Sequence, residues 1–524
     1  MLTQIPGATV EVRNLPLPPT YGVVMPILNR LGIEGLIDEK CPMKRGKHLR
    51  HGQVVVFLVL HLLQAPHRLP LYKMDKWAAL HNIGLLLGCE PAALNDDRIG
   101  RTLEAVGEAV SDIEGELVTR ALSVYDVPVR YVHWDLTHVT FSGAYDDSDL
   151  VAPGFGDGAL HEKQLHVSLH TTSDYGVPLM HETLAGNAQQ APLAGRYIEQ
   201  LKDRLHTNEL VILSDSAGVS YDTITCYEKA GAHFLGPLQA TPYEREQLAS
   251  VPLDQFVPSS FTPMRNKDSA YSLYDTQLTI KRQRKRKSKR VRALFVHSAT
   301  KHRADRLGRT KLLLKTIARL SFISSQLNRV SYSKFDYALK QLSKAIPPEL
   351  QDVVFYDLQG GPKAMRLRFV VHWEAYDQLG RADGRYILVT DLQDEDADHL
   401  FHVYKNHNCV EARFSGLKTD LSVQPAWLRK DARIIGLLAV FVMALTVFSI
   451  MGLCSERAGI KGDHYHKMTP KQILFHFSIV TMYVTRLYIN DVLHAQEIKL
   501  TERQQHIIHE MGFPHPITHL LPDP

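Results

Sequence analysis

Apolar positions recur along this chain in two rhythms, and the change between them divides it. Up to about residue 125 the spacing is the three-to-four repeat of helices. It is seen in GVVMPILNRLGIEGLIDE (22–39), HGQVVVFLVLHLLQA (51–65) and DDRIGRTLEAVGEAVSDIEGELVTRAL (96–122), the last with Asp96 and Asp97 to cap its N-terminus and put negative charge there. From Val129 short β-branched and aromatic runs take over. VRYVHWD (129–135) predicts a strand ending at Asp135, and a polar, Gly-rich loop follows at 142–163. QLHVSLHTT (164–172) and GVPLMHETLAG (176–186) predict a hairpin turning at Ser173-Asp174-Tyr175-Gly176. A helix over 191–206, a buried strand ELVILSD (209–215) ending at Asp215, a helix over 218–231 closed by Gly231 and a strand HFLGPL (233–238) complete the series. Three antiparallel strands followed by two helix–strand crossovers make a mixed α/β sheet.

Residues 240–385 break this rhythm and read as an insertion that returns to the sheet near GRYILVTD (384–391). Within it, KRQRKRKSKRVR (281–292) has nine Lys or Arg in twelve positions and no acid, which suits a solvated loop or a β-ribbon with a charged face. Such a block is also an electrostatic footprint for a polyanion, presented by Lys281, Arg282, Arg284, Lys285 and Arg286. Residues 303–327 predict a basic amphipathic helix, and MRLRFVVHWEAY (365–376) alternates as a strand. Ile434–Cys454 is a run of 21 residues without a charge. It meets the length of a membrane span, but a buried central helix gives the same pattern and is the expectation here. Beyond 455 a helical tail is expected, with His464 and His466 unassigned. The expected domains are 1–125 (helical, able to bind DNA, a partner or nothing), 126–240 and 386–455 (two parts of one sheet core), 241–385 (the insertion) and 456–524 (helical, a candidate oligomerisation region).

Composition alters this picture little. A chain of 524 residues with 44% hydrophobic and 22% charged content is ordinary for a globular protein of two to four domains. The net charge of +4 announces no polyanion by itself, so any nucleic-acid reading rests on where the charges lie. Cys41, Cys89, Cys226, Cys409 and Cys454 are far apart with no CxxC pair, which argues against a disulfide framework or zinc ribbon and fits a reducing cytosol. The N-terminal stretch has no apolar h-region, so no signal peptide is expected.

The chemistry gathers around YKNHNCVEARFSGLK (404–418). On a helix, His407, Glu411 and Lys418 stand at about 300°, 340° and 320° from Tyr404, beside an apolar stripe of Val403, Val410, Phe414, Leu417 and Leu421. The stripe can dock the helix and hold Glu411 at the edge of a site. Asp135 and Asp215 end strands, where open α/β sheets gather ligands. Three converging carboxylates raise one another's pKa unless cations neutralise them. Hard Mg²⁺ suits such ligands, and two ions about 3.5–4 Å apart would stabilise the attacking and leaving oxygens of an in-line phosphoryl displacement. Lys418 and His407 would hold a DNA backbone, with Tyr404 against phosphate or sugar.

The strand order with an aspartate on the first strand, another after the fourth and a glutamate on a late helix resembles the RNase H-like catalytic core. The large insertion ahead of the Glu helix resembles bacterial insertion-sequence DDE transposases of the hairpin-forming branch. Their signature is Tyr, two residues, Arg, three residues, Glu, six residues, Lys. Tyr404, Glu411 and Lys418 match this spacing, while the Arg position holds His407, which lacks the bidentate fork of Arg and is neutral over much of the range near pH 7. WDLTHVTFSG (134–143), Gly176-Val177-Pro178, Gly186-Asn187, SDSAGVS (214–220) and LKTDLSVQP (417–425) followed by RIIGLLAVFVMAL (433–445) are also similar to a subgroup of these enzymes, and 20–125 to the helical domain ahead of their core.

The resemblance implies a transposase whose Asp135, Asp215 and Glu411 are catalytic and hold two Mg²⁺, with Mn²⁺ able to substitute. It implies nicking at terminal inverted repeats and joining of the freed 3′-hydroxyl to target DNA. It further implies excision through a hairpin, a homodimer on paired ends, a bacterial cytoplasmic, nucleoid-associated location and no membrane. Two other readings stand beside it. His133, Asp135 and His138, with His161, His166 and His170 following, could serve a zinc or di-metal hydrolase. A DNA-binding descendant without catalysis would keep the fold and basic surface, and His407 is the hint for it.

Overall fold

The computed structural model describes residues 9–521 apart from 44–48, 65–68, 142–144, 154–162, 188–192, 206, 208, 215–218, 264–268, 283–286, 362, 406–427, 429 and 463–466; the side chains at 135 and 193–196 also lie outside the description. Strand β1 (Val10–Pro16) precedes helices α1 (Tyr21–Leu31), α2 (Ile33–Lys40), α3 (His51–Leu62), α4 (Met74–Leu80), α5 (Gly84–Leu87), α6 (Asp96–Glu108) and α7 (Val110–Tyr125). Then come β2 (Tyr131–Phe141), β3 (Ala152–Pro153), β4 (Lys163–Thr172), β5 (Pro178–Ala185), α8 (Leu193–Leu205), β6 (Val211–Leu213) and α9 (Tyr221–Lys229). They are followed by β7 (His233–Pro237), α10 (Pro242–Ser250), β8 (Val257–Pro258), β9 (Tyr271–Lys281), β10 (Ser288–Ser298), α11 (Ala299–Gln326) and α12 (Phe335–Ala345). The remainder are β11 (Val354–Gln359), β12 (Arg366–Val371), α13 (Trp373–Gly380), β13 (Arg385–Thr390), α14 (Ala397–Lys405), α15 (Asp431–Arg457), α16 (Pro470–Ser478), β14 (Tyr483–Ile489), β15 (Val492–Ile498) and α17 (Glu502–Glu510). Two compact units result, one of residues 1–213, 226–232 and 405–524, the other of 214–225 and 233–404.

The first unit carries the sheet the pattern predicts. β2 pairs antiparallel with β4, β4 antiparallel with β5, and β6 runs parallel to β2 on its other side. This mixed α/β arrangement, with the first strand between the second and a parallel fourth, is the strand order of an RNase H-like core. Tyr175 and Gly176, both at positive φ, make the β4–β5 turn. The helical segment ahead of the sheet and the region after 455 share one apolar core with it, from Leu17 through Phe141 and Leu165 to Phe513. The boundaries expected at 125 and 455 are therefore not breaks in packing.

The apolar run 434–454 lies in α15, long and apolar enough to cross a membrane but packed within this unit against α6, α3 and β5. Ser449 Oγ donates to the Gly176 carbonyl at 2.9 Å, tying the helix to the β4–β5 turn. A buried carboxylate, Glu114 of α7, is hydrogen-bonded to His181 of β5, and Arg204 of α8 approaches it at 3.9 Å.

Five expectations are corrected. The segment beyond 455 is not all helical: β14 and β15 form a hairpin, and β1 joins it through β14 as a third strand. Asn490 and Asp491, both at positive φ, make a turn whose twist suits a two-residue hairpin. The helix predicted over 22–39 breaks at Gly32 (φ 62), and that over 96–122 breaks at Ala109. Asn95, rather than Asp96, caps α6, its side chain accepting from the Arg98 N–H at 2.9 Å; the two aspartates occupy the first turn. The strand predicted over 365–376 stops at Val371, because His372 Nδ1 accepts from the Ala375 N–H at 3.3 Å and starts α13.

In the second unit the sheet order is β7-β13-β10-β9-β8, all neighbours antiparallel where their register is known. The region read as an insertion thus extends this sheet. The described residues of the basic block, 281–282 and 287–292, lie at the paired ends of β9 and β10, the ribbon form of the two readings. A second apolar cluster, including Leu313, Leu320, Leu342 and Met365, joins α11 and α12 to the β11–β12 ribbon.

Candidate metal and DNA site

The strand expected to end at Asp135 runs on to Phe141, because its pairing with β4 continues unbroken, so the backbone at Asp135 sits mid-way along β2, directly opposite Leu169 of β4. Leu169 is buried against Val442 and Leu445 of α15. Directly opposed residues of an antiparallel pair share a face, so position 135 belongs to the sheet face that α15 covers. The other face is closed by Trp134. Its indole N–H donates to Ser168 Oγ at 3.0 Å, its ring lies parallel to His170 with centroids 5.9 Å apart, and Tyr197 of α8 meets both rings edge-on.

Parallel pairing of β2 with β6 sets Tyr131, Val132 and His133 beside Val211, Ile212 and Leu213. Asp135 lies two residues beyond His133, and Asp215 two residues beyond Leu213. The segments leading to the two aspartates therefore run side by side in one register. Asp215 itself is outside the described residues, as are Glu411, His407, Lys418, Arg284, Lys285 and Arg286. In the second unit Gly236 of β7 lies against the residues flanking 215–218: a Cβ there would come 2.9 Å from the Ser214 carbonyl oxygen and 2.6 Å from Val219.

Tyr404 is half-buried near the end of α14, whose Leu400, Phe401 and Val403 are buried; of the expected apolar stripe only Val403 is among the described residues, and Val410, Phe414, Leu417 and Leu421 lie outside them. The turn before α14 is held by Arg292. Its guanidinium pairs with Asp275 at 2.7 Å and donates to the carbonyls of Leu392, Gln393 and Glu395 at 2.8, 3.1 and 2.7 Å. This last arginine of the basic block is thus a buried clamp, not a free surface cation. Its place at the start of the apolar run Val291 to Val296, all of it buried, was the signal available for it. Arg292→Met is expected to lower the stability of this unit by about 3 kcal/mol, because three carbonyls lose their donor and Asp275 its partner. Arg290→Ala, at an exposed position, is expected to change it by less than about 0.5 kcal/mol; urea unfolding of both variants checks this.

At the hairpin base, two of the proposed DNA contacts have protein partners. Arg282 pairs with Asp222 at 2.8 Å and lies over Tyr221, and Lys281 lies over Tyr243 with its ammonium 4.2 Å from the ring centre. These contacts fix the base of the basic tip.

Two members of the histidine cluster, His133 and His138, are held apart by the strand. His133 and His138 are five residues apart on a strand of unbroken register, so they occupy opposite faces. Among the described residues no group of three or more His, Cys, Asp or Glu could hold a metal ion. His161 lies outside the described residues. His170 is instead a buried packing group, and burial pushes its pKa down to about 3. The native state holds it neutral while the unfolded chain protonates near pH 6.5. Its contribution to stability is complete above pH 6.5 and is lost as pH falls towards 3, at up to roughly 1.4 kcal/mol per pH unit. Denaturant curves from pH 7 to pH 4 are expected to show a steeper loss for the native chain than for His170→Phe.

A family model described as a domain of unknown function (DUF4277) matches residues 12–113. No curated protein matches the sequence. Solved structures with loose similarity include a piggyBac transposase synaptic complex with hairpin DNA, at 10% identity and TM-score 0.39, covering 89% of this chain and 82% of that one. A pre-cleavage Mos1 transpososome and a Mos1 transposase paired-end complex with the left transposon end each align at 12% identity and TM-score 0.16. They cover 39% of this chain and 64% and 63% of theirs. Scores this low carry no argument about this chain's fold or activity.

Proposed function

We propose that this chain is a DNA transposase that nicks the ends of its own insertion sequence and joins the freed 3′-hydroxyl to target DNA by metal-dependent phosphoryl transfer. The observation that carries the reading is the parallel β2–β6 register, which aligns the two chain segments running into Asp135 and Asp215. Asp135 and Asp215 each follow by two residues the last pair of that parallel register, His133 beside Leu213, and the carboxyl end of a parallel pairing is where a mixed α/β sheet builds its ligand site. Glu411 is the third carboxylate, on the segment leading into α15, the helix that packs on Leu169 opposite position 135. Three carboxylates without a thiolate form a donor set that fits a hard divalent cation such as Mg²⁺, with Mn²⁺ as substitute. When bound, two such ions would activate the attacking oxygen and stabilise the leaving one.

The other roles fall to the chain's own groups. Tyr404, His407 and Lys418 hold the backbone at the cleaved end, and the β9–β10 tip, with Lys281, Arg282, Arg284, Lys285 and Arg286, engages DNA further along. His407 holds phosphate less firmly than arginine would, since it offers no bidentate fork. A homodimer pairing two element ends in the bacterial cytoplasm, with excision through a hairpin, completes the proposal.

The test is cleavage of a labelled duplex carrying the element end and its flank. Mg²⁺-dependent nicking at the end supports the reading, and covalently closed product ends place it in the hairpin branch. End binding with no cleavage in Mg²⁺ or Mn²⁺ would overturn it in favour of a non-catalytic DNA-binding descendant.

A further inference from the structure

Between residues 299 and 380 Lys and Arg outnumber Asp and Glu by seven, against a net +4 for the entire chain. The excess concentrates on α11, which has seven Lys or Arg and a single acid, Asp305. That acid is spoken for: it pairs with Lys301 at 2.8 Å and accepts from the Gly384 N–H at 2.9 Å. The helix buries Leu313, Thr316, Leu320 and Ile323. Its opposite side exposes Arg303, Leu307, Lys311, Leu314, Lys315, Arg319 and Phe322. These span an arc of about 160° and a length of about 29 Å, with no acid among them. Among the described residues, Arg303, Lys311, Lys315 and Arg319 make no ion pair; the helix's own pairs are Lys301–Asp305 and Arg309–Asp383. Arg319 lies over the Phe322 ring at 5.4 Å, which holds its guanidinium at the surface.

We propose that this face of α11 is a docking surface for the sugar–phosphate backbone of double-stranded DNA, separate from the hairpin tip and from the residues assigned to end cleavage. The inference rests on the transposase reading and deepens it by naming a second place where the duplex is held. Charge complementarity identifies the occupant: four cations without an ion pair among the described residues, on a face without a competing acid, match a polyanion. Lys311, Lys315 and Arg319 follow one another at four-residue steps, each rising about 6 Å along the axis, so they can address a row of phosphates. Leu307, Leu314 and Phe322 lie between them and can pack against sugar edges. The exposed face has no Asn or Gln, the side chains that pair with adenine edges, so binding here is independent of sequence.

The experiment measures binding of a fluorescent 30-base-pair duplex of arbitrary sequence as a function of salt, for the full chain and for Lys311→Ala/Lys315→Ala/Arg319→Ala together. The surface predicts that the slope of log affinity against log salt shrinks by about one per cation removed, alike for every duplex sequence. Lys311→Arg/Lys315→Arg, which keeps the charge, retains the native slope. The unfolding midpoint is measured alongside, and these exposed positions are expected to leave it unchanged. A native chain that cleaves its element ends while the triple variant keeps the full salt slope overturns this surface and leaves the transposase reading standing. A native chain that binds no duplex even at low salt overturns that reading and this surface with it. Self-association or binding to anionic vesicles that the triple substitution abolishes, with DNA binding unaffected, gives the face to another occupant and also overturns the proposal.

Discussion

Asp135→Asn, Asp215→Asn and Glu411→Gln are each expected to lower end cleavage by on the order of 10³-fold or more while leaving end binding within a few-fold of the native chain. Each change keeps the side chain's size and removes its charge. A site that relies on carboxylates to hold divalent cations loses ligand charge and ion affinity together, whereas contacts to the DNA backbone come from other residues. The two aspartates are expected to behave alike, because the segments leading to them are aligned in the β2–β6 register. The assay is nicking of a labelled element end in Mg²⁺, with a gel-shift on the same duplex and a thermal melt of each variant. Metal-dependent cleavage that survives Glu411→Gln would remove Glu411 from the site. Loss of binding and folding along with cleavage would recast the residue as structural.

Replacing Gly107 or Gly436 by valine is expected to leave no cooperatively folded first unit. α6 and α15 cross so closely that a Cβ on Gly107 would stand 1.9 Å from the Ala432 carbonyl oxygen, and one on Gly436 1.9 Å from that of Leu103. Both obstacles are backbone, which cannot rotate away as a side chain end can. Relief requires the helices to separate along a contact buried in the unit's main core, which also includes Leu103, Val106 and Val440. Overpacking a tight core costs about 1–3 kcal/mol where side chains can yield. Here backbone must move, and a cost above about 4 kcal/mol consumes much of the roughly 5–15 kcal/mol that holds a domain folded. Gly308→Ala is the control: nothing stands within 4 Å of its Cβ, so removing a glycine from the middle of α11 should stabilise by about 0.5–1 kcal/mol. Circular-dichroism melts of the three variants decide it, and a native-like melt for Gly436→Val would show that the two helices do not meet this way.

The reach of pattern reading can be seen element by element. The β4–β5 hairpin, α8, α9 and β7 lie where their alternation and turn residues placed them, because each has a local cause: a pleat period, a helical stripe or a left-handed glycine. The β14–β15 hairpin was also legible, in alternating YVTRLYI and the Asn490-Asp491 turn, but a helical reading of the tail passed over it. Its pairing with β1 was not legible at all, since Val10 and Ile489 are joined only by the fold. The same holds for the basic block. Composition marks nine cations alike, yet Arg292 is enclosed by Asp275 and three carbonyls, and Arg282 is engaged by Asp222.

What the sequence by itself determined is the order of the main strands and helices from β2 to β7, the segments that lead into Asp135 and Asp215, and the spacing that ties Tyr404, Glu411 and Lys418 together. These follow from short-range periodicity and from the chemistry of single residue types. Only the tertiary structure decided that the helix carrying the uncharged run 434–454 is covered by α6, α3 and β5, that Gly107 and Gly436 are there to let two backbones meet, and that β2 and β6 lie in parallel register. Each of these depends on which distant segment arrives opposite a given residue, and no local pattern encodes that partner.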